Sequence, residues 1–432
     1  MSGPPGGGAP AAGRAPAAGR GPFADRAFAL ALAALSALGF GIALAYALAV
    51  SPDEIVAGDT TQYHLVAQGI ANGDGYSTLA SLLRGDPQPT AQHPPLFPLA
   101  LAGLDLLGLD TLTAHRVVLC VIAAISVALL GLLGRRVAGP RAGLIAAGLA
   151  AIYPGFFMLA GVAMTESLYI PLIVLTLLAT YALIDRPSVR LALVLGALIG
   201  LTILDRTEAV LLLPLLALAV AVRLPGARER VRIVAVMTVA TVVVLAPWTI
   251  RNASTMDRFP LLSTNGGLTA MVANCEGPYY VDVGFIQPDC LVRCEHLREN
   301  ELKYSDCGER VAREYAEDHL GRVPVVVAAR VARTWNLYGI GKDISYAEFG
   351  GRNRTASKFK VGMYFLLLPL ALLGGWALVR RGRPLLPLLA PVLMATIATA
   401  LTYGFSHYRV GADVSLIVLA SAGLGWKSWR RD

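Results

Sequence analysis

AFALALAALSALGFGIALAYALAV, residues 27–50, runs for 24 residues without a charge. About 20 such residues cross hydrocarbon as a helix. The run is longer than the apolar core of a signal peptide, although Ala47-Leu48-Ala49 would fit a peptidase site. It reads as an uncleaved first membrane helix. Elsewhere the chain is built the same way, 55% hydrophobic and only 15% charged. A soluble domain needs more charge to cover its surface. The net charge of +8 does not point to nucleic acid, because the arginines cluster in short loops between apolar runs, where they control topology.

Ten membrane helices are predicted, at 27–50, 116–134, 142–163, 167–184, 190–204, 209–222, 232–249, 361–379, 384–404 and 413–426. With the N-terminus inside, strict alternation leaves every inner segment basic. They carry Arg14, Arg20 and Arg26; Arg135, Arg136 and Arg141; Arg186 and Arg190; Arg223, Arg228, Arg230 and Arg232; Arg380, Arg381 and Arg383; and Lys427, Arg430 and Arg431. That is the positive-inside pattern, and it places both termini in the cytoplasm of a multi-pass cell-membrane protein. The predicted fold class is an all-α polytopic bundle. Residues 1–26, rich in Gly, Ala and Pro, form a disordered cytoplasmic tail. Residues 27–249 form an N-terminal membrane module with a first outer loop at 51–115. Residues 250–360 form an outer segment, and 361–432 the last helices and a basic tail.

The outer segments hold the unusual residues. GDTTQYHLVAQGIANGDGYST, residues 58–78, combines an acid, a tyrosine and a histidine with a Gly-rich turn. Its stripe of Tyr63, Val66, Ala67 and Ile70 predicts a short interfacial helix. Asp59 at its start and Gln62 three residues on would make a capping box. HPPLFPL from His93 leads into a second interfacial or half-inserted helix. Glu166, Asp205, Arg206, Glu208, Arg251, His407, Tyr408 and Arg409 fall on the same side. Ionisable groups at such positions mark a shared site, although polar loop ends and interface-anchoring arginines account for some of them. Cys275, Cys290, Cys294 and Cys307 lie in 250–360. On an oxidising face they read as two disulfides with three possible pairings; zinc is the rival reading. Cys120 is a lone packing group. VPVVVAARVARTWNLY, residues 323–338, is amphipathic and reads as a second-segment interfacial helix.

In order along the chain, GDTTQYHLVAQGIANGDGYS with HPPLFPL, then MTESLY, LDRTEAVLLLP, APWTIRN, RVARTWN and SHYRVGADVSL resemble GT-C glycosyltransferases. The pattern is most similar to the bacterial relatives of protein O-mannosyltransferases and lipid A aminoarabinose transferases. The resemblance implies a hexosyl- or pentosyltransferase of the cell envelope. Such an enzyme takes a sugar from a polyprenyl-phosphate carrier on the outer face and passes it, with inversion, to a lipid, glycan or protein acceptor. It puts the catalytic carboxylate at Asp59. Substrate-binding positions follow at Tyr63, His64, His93, Glu166, Arg206, Glu208, Arg251, Tyr408 and Arg409. The implied partners are membrane lipids and the lipid-linked donor.

The chemistry agrees. An acceptor hydroxyl needs a carboxylate to take its proton, and a leaving phosphate needs cations, for which arginine's planar fork is suited. Arg206, Arg251 and Arg409 are the outer candidates. Thr60 stands where several relatives have a second acid, and Asp53-Glu54 is out of register, so a divalent cation is an open cofactor reading and the metal ligands are unknown. A flippase for lipid-linked glycans and a non-catalytic assembly factor are the alternatives. A flippase would carry polar groups at helix midpoints and an inverted repeat, neither of which is evident.

Overall fold

The computed structural model describes residues 22–51, 58–256 and 259–425. Most of the expected tail, the Asp53-Glu54 pair and the basic end at Lys427, Arg430 and Arg431 lie outside the described residues. Each of the ten predicted spans falls on a helix. The first, α1 (Pro22–Ala49), starts before the expected tail boundary and takes in Asp25 and Arg26. The first outer segment folds as α2 (Asp59–Ala71), α3 (Leu79–Arg84) and α4 (Leu96–Asp105). Then come α5 (Leu112–Ala138), α6 (Pro140–Ile152), α7 (Pro154–Val162), α8 (Glu166–Asp185) and α9 (Val189–Asp205). A 3-10 turn at Thr207–Leu211 leads into α10 (Leu212–Ala221), followed by α11 (Ala227–Thr255). The second outer segment contributes α12 (Asn265–Ala273), α13 (Glu301–Asp318), α14 (Val323–Thr334) and α15 (Ile340–Phe349). The chain closes with α16 (Arg354–Arg380), α17 (Leu386–Leu401), a 3-10 turn at Ser406–Arg409 and α18 (Val410–Leu424).

Among the described residues, α1, α5, α8, α11 and α16 are each long and apolar enough to cross a membrane. The α6–α7 pair would make a sixth span, bent by 45°. The bend sits at Tyr153-Pro154, where the proline ring forces the preceding residue into the extended region and ends α6. The remaining apolar helices are shorter. The protein is a multi-pass, all-helical membrane protein.

Apolar residues are exposed on α1, α11 and α16, as lipid-facing surface must be. In contrast, α18 is buried on every side from Val410 to Ala422, the mark of a central helix. It lies against α16 across Gly374 and Gly423, where a Cβ on either glycine would collide with the carbonyl of Leu419 or Leu370. Small residues of this kind let helix backbones approach in lipid, where no hydrophobic force draws them together.

The capping box at the start of α2 does not form. Gly58, at φ 120°, takes the N-cap position, and Asp59 is the first helical residue without a side-chain cap bond. The Gln62 amide instead donates to Gln92 at 3.0 Å. The expected stripe of α2 faces protein: Tyr63, Val66 and Ala67 are buried on Phe97 and Leu101 of α4.

The outer segment is stapled. Cys275 pairs with Cys290 and Cys294 with Cys307, while Cys120 is free and buried. The second bridge closes around Glu301, whose carboxylate accepts from the Thr90 hydroxyl, the Ala91 amide (3.0 Å) and the Thr264 hydroxyl (2.6 Å). Glu301 thereby clasps the first outer segment to the second. Removing either bridge by Cys→Ser is expected to cost about 2–5 kcal/mol of local stability. Intact mass after alkylation should show one reactive thiol without reductant and five with it; five free thiols in oxidised membranes would contradict the pairing.

Candidate functional site

Helix α2 leaves Asp59 exposed at its first turn and buries Tyr63 one turn later. The Tyr63 ring meets His93 and Phe97 edge-on, each at 5.4 Å. Burial pushes the Tyr63 phenol well above its ordinary range, and the Asp59 charge adds to the push. Burial holds His93 below 6.5, so it is neutral, with Asp59 and Glu301 opposing. Tyr403 is raised by burial and then by Tyr408, with Asp59 contributing. Tyr408 is pushed up to about 12, again chiefly by burial. The Asp59 charge is thus felt by α2, the turn before α4, and the turn between α17 and α18. These segments are far apart in sequence and converge on one acid.

Arg206 stands beside them. Its Nε donates to Glu208 at 2.6 Å, and its Nη1 reaches Glu166 at 2.9 Å and the Thr165 hydroxyl at 3.2 Å. The guanidinium stacks near Tyr169 and Tyr408. The two expected acids therefore orient this arginine. Asp205 is buried next to it with neither oxygen hydrogen-bonded among the described residues.

Three expected site residues make their described contacts within the protein. Arg251 donates to the carbonyls of Thr90 (2.6 Å) and Tyr76 (2.8 Å) and lies over Trp248. Its fork braces the first outer segment against α11. Arg409 is fully buried, ion-paired to Asp413 at 2.8 Å, and donates to the Thr334 carbonyl. It sits 3.7 Å over the Tyr364 ring, while Tyr153 donates to the other Asp413 oxygen. His64 points away from Asp59's neighbours, into a contact with His115.

Sequence reasoning placed His407 on this side but missed Arg352 and Lys360. Arg352, Lys360 and His407 line a cavity with Glu166, walled by Gly155, Met158, Leu159 and Val410. An adjoining cavity shares all three basic residues and adds Asp343, Ser357 and Ser406. Arg352 Nη2 and His407 Nδ1 are buried there without a hydrogen-bond partner among the described residues. Lys360 donates to the Ser406 hydroxyl at 3.2 Å. His407 is held well below 6.5, first by burial and then by the charges of Arg206, Arg352 and Lys360. Unspent buried donors in a cationic cavity suit an anion. Glu166 belongs to both halves, lining this cavity and holding Arg206. The signal was in the sequence: Arg352, Arg354, Lys358 and Lys360 put positive charge on the side where topology asks for none.

Among the described residues, no group of three or more His, Cys, Asp or Glu side chains is arranged to hold a metal ion. Glu166 and Glu208 are engaged by Arg206, and Asp53 and Glu54, close to Asp59 in sequence, lie outside the described residues.

Residues 92–250 match the dolichyl-phosphate-mannose-protein mannosyltransferase family. No curated protein sequence matches the chain. Among solved structures, the chain is similar to the Archaeoglobus fulgidus oligosaccharyltransferase in its apo form, at TM-score 0.55 and 14% identity over 95% of this chain and 52% of that one. The same enzyme in complex with an inhibitory peptide and a dolichol-phosphate matches equally well, with the same TM-score, identity and coverage. ArnT from Cupriavidus metallidurans bound to undecaprenyl phosphate matches more loosely, at TM-score 0.41 and 14% identity over 93% of this chain and 78% of that one. The chain spans about half the length of the archaeal enzyme. At these identities the likeness is one of fold: the chain shares the helical membrane fold of the archaeal enzyme, and its residues 92–250 match the mannosyltransferase family model.

Proposed function

We propose that the protein is a glycosyltransferase that moves a sugar from a polyprenyl-phosphate carrier to a hydroxyl acceptor on the outer face of the cell membrane, with both termini in the cytoplasm. The observation that carries this reading is the buried cavity of Arg352, Lys360 and His407, which Glu166 also lines while it holds Arg206; the group of Tyr63, His93 and Tyr408 near Asp59 is read as the sugar's side. A lipid-linked donor has two parts that such a pair of sites can divide: an anionic phosphate and a neutral sugar.

The acceptor oxygen attacks the anomeric carbon and gives its proton to Asp59. The bond from that carbon to the phosphate oxygen breaks, and the phosphate leaves with the electron pair and one more negative charge. Arg352 and Lys360 stabilise that charge, and attack opposite the leaving group inverts the anomeric centre. Tyr63, His93 and Tyr408 wall the sugar, and Arg206 is held in place by Glu166 and Glu208. No step runs through a metal ion. Hexose and pentose donors, and lipid, glycan and protein acceptors, all fit this scheme.

The test is transfer in reconstituted vesicles, with radiolabelled sugar on polyprenyl phosphate and a membrane extract as acceptor. Free polyprenyl phosphate should accumulate as sugar is transferred. Lys360→Gln should raise the donor KM about tenfold or more, the worth of a charge-assisted hydrogen bond. Unchanged donor KM in both Lys360→Gln and Arg352→Gln would move the phosphate elsewhere.

A further inference from the structure

His64, on the same helix as Asp59, is buried against His115 of α5 with their Nδ1 atoms 3.2 Å apart. The other nitrogen of His115 meets Asp105, the last residue of α4, at 2.8 Å. His115 is fully enclosed, and Asp105's side chain nearly so. The three residues form one hydrogen-bonded chain that crosses three helices.

We propose that Asp105, His115 and His64 form a latch that positions α2, and with it Asp59, and that the latch opens when the two rings take up a second proton. The part that concerns Asp59 rests on the glycosyltransferase reading.

The proton count follows from the geometry. Two Nδ1 atoms at that distance hold one hydrogen between them, since one ring must donate and the other accept. With both rings neutral, His115 donates from Nε2 to Asp105 and accepts at Nδ1 from His64. A first added proton leaves the contact intact, because it can go to the outer nitrogen of His64 or make His115 an imidazolium paired with Asp105. A second proton puts N–H groups on both facing nitrogens and two positive charges in contact, so the rings must part.

The surroundings delay that event. Burial holds His64 below its ordinary 6.5, and the neighbouring His115 adds to this, while the charges of Asp105 and Asp110 oppose it. A histidine depressed in the folded state costs stability as pH falls below its unfolded value, so the latch is closed at neutral pH and opens in acid. When it opens, α2 still has its apolar packing on α4 and hydrogen bonds that include the Thr60 hydroxyl on the Val162 carbonyl, Gln62 on Gln92 and Gln68 on the Asp110 carbonyl.

Hydrogen exchange of residues 59–71 in vesicles, corrected for the intrinsic rate at each pH, tests the latch without any assay of transfer. In the parent chain, protection should fall about tenfold as pH drops below about 6.5. His64→Asn keeps an amide where Nδ1 lies, able to donate or accept but not to titrate, and its protection should stay flat. His115→Gln keeps the bond to Asp105 but loses the facing nitrogen, so protection should be low at every pH. In transfer assays the acid limb of the rate should move down in His64→Asn. Loss of protection at the same pH in the parent and in His64→Asn would overturn the latch. The latch pattern in exchange with no sugar transfer at any pH would overturn the glycosyltransferase reading and leave the latch standing.

Discussion

Asp59→Asn is expected to slow sugar transfer by about 10²–10⁴-fold, the usual loss when a general base is removed, while the protein stays folded. The substitution is nearly isosteric and leaves the packing of α2 alone. Since Gly58 and not Asp59 holds the cap position, and no cap bond is made by the side chain, no cap is lost. The remaining structural cost is the carboxylate's favourable place at a helix N-terminus, about 0.3–1 kcal/mol. The expected signature is a large drop in kcat with the donor KM little changed, because donor affinity is proposed to reside at Arg352, Lys360 and His407. Thermal melting in the same detergent separates chemistry from folding. A folded Asn variant with near-parent turnover would defeat the assignment and pass the base role to Glu166, freed from Arg206.

The second large effect concerns stability. Arg409→Met keeps side-chain volume but strands Asp413, a buried carboxylate that would keep the Tyr153 hydroxyl as a partner. Breaking a buried pair in this way costs about 3–5 kcal/mol. A markedly lower melting temperature is expected, with donor affinity of the remaining folded protein intact. Arg409→Met with Asp413→Leu should recover most of the loss, because replacing both partners leaves no orphan charge. If Arg409 bound the lipid phosphate instead, the single variant would melt normally and lose donor affinity, and the double variant would recover nothing.

The helices were legible because two independent patterns agreed. Apolar runs gave lengths, and arginines gave sides. The disulfide partners were legible as a set of four but not as pairs, since pairing depends on how α12, α13 and the turn at Pro288–Leu297 come together. The site was legible as a set of residues and less so as a geometry. Arg206, Glu166 and Glu208 were recognised as possible partners and are found paired. Arg251 and Arg409 looked equivalent to Arg206 in sequence, yet Arg251 is held by the Thr90 and Tyr76 carbonyls and Arg409 by Asp413 and the Thr334 carbonyl, with its Nη2 left without a partner among the described residues. Arg352 and Lys360 were passed over as the run-up to a membrane helix, although their sign was wrong for that side.

The Glu301 clasp has a consequence for assembly. Its carboxylate holds Thr90 and Ala91, which leave the ribosome some 210 residues before it does. Helices α2 to α4 therefore wait, with their last bonds unmade, while α5 to α11 and half of the outer segment are synthesised and inserted. Because Cys294 and Cys307 bracket Glu301, the machinery that oxidises thiols outside the membrane acts on the stretch that ends this wait. Biogenesis of the pocket is thus tied to the redox state of the compartment it faces.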